Sequence, residues 1–134
     1  GSEMCIRDRL YIFLMFLSFN AFSEKVYFIN LQDGDVVKSP VFIQFGLSGK
    51  GVAPAGIDVA NTGHHHLLIN VDEIDYSLPI PSSNQHLHFG LGQTETNLVL
   101  PSGKHTLQLV LGGKYHIPHK PPLISKKIEV TVVK

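Results

Sequence analysis

The chain has 134 residues, 11 Lys plus Arg balanced by 11 Asp plus Glu, and 43% hydrophobic residues. That is the length of one domain with enough apolar content for a single core, and it lacks the basic excess that anchors nucleic acid. Trp is absent, aromatics make up 9%, and there are 12 Gly and 8 Pro, a mix suited to short strands joined by many turns.

Residues 1–9 read as a cloning and sequencing artefact. Gly1-Ser2 looks like a cloning scar and Glu3 to Arg9 like a translated transposon adapter, so the true gene start is expected to be missing. Residues 10–23 read as a truncated signal peptide. The apolar run Leu10 to Phe22 is short of the roughly 20 residues a membrane span needs. It matches a signal-peptide core, and Ala21-Phe22-Ser23 sets small residues at the −3 and −1 positions of a cleavage site. An uncleaved anchor or a buried first strand is the other reading. The mature chain is expected to be residues 24–134, a single periplasmic or secreted domain with no stable membrane span. Cys5, Met4, Met15, Arg7 and Arg9 all precede Glu24, so that domain has no thiol, thioether or guanidinium, while all eight His remain.

Lys25 to Asn30 alternates and is rich in strand formers. Asp33-Gly34-Asp35 is a turn signal. Val36 to Leu47 is a second strand region whose early part Pro40 demotes to an edge or bend, leaving 41–47 as the strand. Ser48 to Gly63, rich in Gly, Ala and Pro, reads as a long loop before a third strand at 64–71. Asp72 to Asn84 holds Pro79 and Pro81 and is expected to be irregular. Strands follow at 85–89, 94–100, 104–111 and 124–133, with turns at Gly90-Leu91-Gly92 and Pro101-Ser102-Gly103 and a Gly, His and Pro loop at 112–122. No stretch gives a convincing amphipathic helix. About seven strands predict an all-β, immunoglobulin-like two-sheet sandwich, with a cupredoxin-like barrel as the alternative.

In such a sandwich the loops after the second and sixth strands and the turn after the fourth share one end. His64, His65 and His66 start the third strand there. His86 and His88 lead up to the turn, Gln93 and Glu95 leave it, and His116 and His119 lie in the loop after the sixth strand. Seven of the eight His thereby converge on one pole. Alternation puts His64 and His66 on one face, His65 on the other, and His86 with His88 together. A His-x-His pair can present two imidazoles to one ion, at metal–nitrogen distances of about 2.0–2.1 Å. The expected metal ligands are His64, His66, His86, His88, His116 and His119. His105 falls at the far pole on the face of Leu107, Leu109 and Leu111 and reads as structural.

Gly63-His-His-His-Leu-Leu-Ile69, His88-Phe-Gly-Leu-Gly-Gln-Thr-Glu95, Leu100-Pro-Ser-Gly-Lys-His-Thr-Leu-Gln-Leu109 and His116-Ile-Pro-His119 followed by Pro121-Pro122 occur in that order. Together they resemble the bacterial domain-of-unknown-function family 4399, over about Val26 to Val133. The resemblance implies an exported protein and supplies no activity. Gly112-Gly113-Lys114 stands where the resemblance leads one to expect an acidic residue, which argues against a carboxylate ligand there.

Without Cys and Met the mature chain cannot build a blue-copper or soft Cu(I) site. What remains is a nitrogen/oxygen site for Cu(II) or Zn(II), with copper favoured by the usual affinity order. Three functions stay open: an exported metal-binding protein; a metalloenzyme on the same site with Glu95 as general base and His65 or His86 as a second proton carrier; or an immunoglobulin-like binding module whose imidazoles form a structural hydrogen-bonded network.

Overall fold

The computed structural model describes residues 23–134. The expected artefact at 1–9, and the expected leader at 10–23 except its last residue, lie outside the described residues. Those residues contain nine strands and no helix: β1 (Lys25–Phe28), β2 (Val36–Lys38), β3 (Val41–Ser48), β4 (Gly51–Val52), β5 (Thr62–Ile69), β6 (His86–His88), β7 (Glu95–Leu98), β8 (Gly103–Gly112) and β9 (Ile128–Val133).

Alternating apolar residues on these strands need a second layer to bury them, and the result is the all-β, two-sheet arrangement expected from the sequence. One sheet has the order β1-β3-β7. The other runs β2-β9-β8-β5-β4, with β6 added on β5. Val26, Val41, Ile43 and Phe45 of the first sheet meet Leu67, Leu107, Leu109 and Val130 of the second in one core. Removing each such side chain from water contributes about 1.5–3 kcal/mol.

The early part of the second strand region, expected as an edge or bend, forms an edge strand, and one further short strand was not expected. Val36–Lys38 pairs parallel with β9 at the edge of the larger sheet, and after Ser39-Pro40 the chain continues as β3 in the other sheet. Pro40 thus marks a crossing between sheets, because proline cannot donate to a ladder at the point where pairing changes partner. Gly51–Val52 pairs parallel with the start of β5 inside the expected loop. The last strand begins at Ile128 because Ile124 makes only an isolated bridge with Val110.

The ladders fix which end each histidine occupies. β5 and β8 are antiparallel with His64 opposite Gly112, and β5 and β6 are antiparallel with His66 opposite His88. The start of β5 and the ends of β6 and β8 therefore share one pole. His105 lies toward the other, opposite Val130. Both faces of β5 are covered. Leu67 and Ile69 point into the main core, while Leu68 packs with Val110 and Ile80 in a second cluster joined by Val71 and Ile74. The irregular stretch after β5 forms that cover. It is held by the Lys127 ammonium, which donates to the Val71 and Asp72 carbonyls at 3.0 and 2.8 Å.

Candidate metal centre

The strand period puts His64 and His66 on the face of β5 that looks away from the main core. The β6 register then sets His88 beside His66. The fourth ring, His116, comes from the loop after β8. There the chain turns back on itself: the His116 N–H donates to the Gly113 carbonyl and the Gly113 N–H to the Ile117 carbonyl, each at 2.9 Å. His116 takes a left-handed backbone conformation (φ 64°), uncommon for a residue with a side chain. The irregular cover pins it, through the Ile80 N–H donating to the His116 carbonyl at 2.8 Å.

These four rings form one group. Each offers a nitrogen, and the nitrogens lie within 4.8 Å of one another. Ring centroids are 4.5 Å apart for His88–His116, 4.8 Å for His64–His66 and 5.0 Å for His66–His88. Four nitrogens placed tetrahedrally about one ion would stand about 3.3 Å apart, so modest ring shifts would close the cluster on an ion. His64 and His66 are each 1% exposed and form the floor, His116 is half-buried, and His88 is exposed.

Hydrogen bonding within the group is incomplete. His64 Nε2 and His116 Nδ1 lie 3.0 Å apart and share one proton. Both nitrogens of His66 are buried with no partner. A buried polar atom left unpaired costs about 1–3 kcal/mol, so the arrangement is expensive as an apolar-face ornament and suited to accepting a cation.

Glycines make room for the rings. A Cβ on Gly112 would sit 2.7 Å from His66 Nε2, and one on Gly90 would overlap the His88 ring. These residues carry no chemistry of their own, and the sequence reading saw Gly90 only as part of a turn. For Gly90 the usable signal is its place two residues after His88, the end of β6; Gly112 carries no such signal.

Burial lowers the His64 pKa to about 4 and the His66 pKa to about 3, and neighbouring imidazoles push in the same direction. His88 is lowered by desolvation and by His116. No carboxylate figures among the charges acting on these three, so the rings stay neutral, the form that binds metal.

The structure therefore brings together four of the six expected ligands. His86 lies opposite Leu68, two residues further from the pole, and its Nδ1 pairs with the Ser83 hydroxyl at 2.8 Å. His119 packs over Gly63, which alternates away from His64; its Nε2 is buried without a partner, and burial lowers its pKa. Glu95 is exposed on β7, opposite Gln44 in the smaller sheet. Gln93 accepts the Leu91 N–H at 3.0 Å. His65 turns into the main core against Phe45, ring centroids 5.2 Å apart, with both nitrogens unpaired. His105 has the structural role read from the sequence: Nε2 donates to the Pro101 carbonyl at 2.8 Å and Nδ1 accepts from the Asn70 amide at 2.9 Å.

Among known proteins, the family described as "Domain of unknown function (DUF4399)" matches residues 43–133. No curated protein matches the chain. Among solved structures, an endo-beta-1,4-mannanase from Thermotoga petrophila matches with 19% identity and a TM-score of 0.47, over 84% of this chain and 20% of that one. The chain thus spans a fifth of that enzyme's length, and a likeness so slight carries nothing about activity.

Proposed function

This chain belongs to the DUF4399 family, and we propose that it is an exported transition-metal-binding protein whose ion is held by His64, His66, His88 and His116. One observation carries the reading. A structural imidazole network should satisfy its buried nitrogens, yet the described residues supply one hydrogen bond within the group and leave His66 with none. An ion would satisfy the ring nitrogens that point inward.

The donor set favours the borderline divalent ions. Imidazole suits Cu(II) and Zn(II), and copper binds nitrogen sites more tightly in the usual order, so copper is the preferred ion. The leader-like run before Glu24 supports export, where free copper is met outside the cytosol.

The test is elemental analysis of protein made without a polyhistidine tag, followed by titration of Cu(II) and Zn(II) into chelator-treated protein. One ion per chain is expected, with the tighter binding to copper. His64→Ala, His88→Ala and His116→Ala should each lower the stoichiometry. Metal content near zero, or equal in all three variants and the wild type, would overturn the assignment.

A further inference from the structure

We propose that the ion in this cluster keeps one position open to an external ligand, and that this ligand is a small anion. The inference rests on the metal-binding reading and takes the ion as Cu(II), whose tetragonal preference admits a ligand beyond four nitrogens, whereas a tetrahedral Zn(II) held by four imidazoles would be closed.

Access comes from one side. His64 and His66 close the floor, whereas His88 is exposed. Beside the cluster lies a cavity of about 70 Å³, walled by His66, His88 and His116 and completed by Ile80, Pro81 and Ser82. His64 does not line it, so the space lies to one side of the cluster. A water molecule occupies about 30 Å³ in the liquid, so the cavity holds roughly two such volumes.

The wall beside the ion is fixed. Ile80 is 6% exposed, packs on Leu68 and Val110, and donates its N–H to the carbonyl of His116. That wall cannot retreat without breaking both contacts. Ser82 is exposed at the mouth and is the one wall residue, besides the imidazoles, with a polar side chain.

Charge sets the ligand's sign. Four neutral imidazoles leave a divalent ion with its full charge, and the cluster contains no carboxylate. The nearby acids lie outside the cluster: Glu24 acts on His119 together with Lys50, and Asp58 pairs with Lys114 at 3.9 Å. A partly desolvated dication without a counter-charge draws an anion from solution. Azide, cyanide and the halides fit both the volume and the charge.

The experiment uses untagged protein loaded with Cu(II), its copper content measured on the same sample, and azide as the probe. Azide should produce a saturable ligand-to-metal absorption band. Ser82→Phe, filling the mouth from an exposed position, should keep its copper and lose at least tenfold in azide affinity. Copper-loaded protein with no azide band overturns the proposal, as does Ser82→Phe binding azide as the wild type does. Failure to take up copper at all instead removes the metal-binding reading, and this proposal with it.

Discussion

Replacing His66 by leucine should make the metal-free protein more stable. His66 is 1% exposed, with both ring nitrogens buried and unpaired. Each unpaired atom costs about 1–3 kcal/mol, and replacing a polar group by an apolar one of similar shape removes that cost. The shape change from a flat ring to a branched chain costs about 1 kcal/mol. The balance is a gain of about 2 kcal/mol, or about 8 °C in Tm for a domain of this size. Urea and thermal unfolding of chelator-treated protein at pH 8 would measure it. With Cu(II) at 100 times its Kd, the wild type gains about 2.7 kcal/mol by mass action. The order of stability should then reverse, because the variant lacks a ligand. A metal-free variant whose Tm falls by several degrees would refute the reasoning, since it would mean that the His66 nitrogens are satisfied in solution.

Gly112→Ala should cost about 1–3 kcal/mol and weaken Cu(II) binding at least tenfold by calorimetry, because its Cβ would press His66 Nε2 from 2.7 Å. Acid should destabilise the metal-free protein. His64 and His65 have folded pKa values of about 4 and His66 of about 3, against 6.5 for free imidazole. The unfolded chain therefore binds more protons between pH 6.5 and about 4, and the stability present above pH 6.5 is lost as pH falls through that window. Urea midpoints taken across pH 7 to 4 would show the slope, and His65→Leu should reduce it by about one proton while leaving metal content unchanged. His105→Ala should lose two hydrogen bonds, or about 2 kcal/mol, and keep its metal, as should His86→Ala, whose ring pairs with Ser83 instead; elemental analysis distinguishes these from the cluster variants.

Much of the pole was legible in the sequence because strand alternation is rigid. His64-His65-His66 on a strand splits into a pair and a single whatever the sheet order, and a His88-bearing strand that runs antiparallel to β5 must finish beside the start of β5. The expected reason was a shared loop end; the observed one is direct pairing of His66 with His88. His86 was less readable. Sharing a face with His88 says nothing about distance along the strand, and two residues at about 3.3 Å each carry His86 past the cluster to Leu68. The placement of Ile80 was invisible for a different reason. The 72–84 stretch has no period, so its packing on the outer face of β5 is set by tertiary contacts with Leu68 and Val110.

Among the local costs at this pole, three adjoin the cluster: the unpaired nitrogens of His66, the left-handed backbone of His116, and an imidazole laid against Gly112 where almost any side chain would be excluded. Strain of this kind persists only where the surroundings over-determine it. Here they do, since the Ile80 N–H holds the His116 carbonyl and the β5 ladders hold His66. Each cost faces the same small volume. A cation there would accept the free His66 lone pair and draw His116 in through the nitrogen that now faces His64. The same ion would also make use of the space Gly112 leaves for the His66 ring. Such an ion would satisfy His66, while the unpaired nitrogens of His65 and His119 lie outside its reach and are carried by the packing around them.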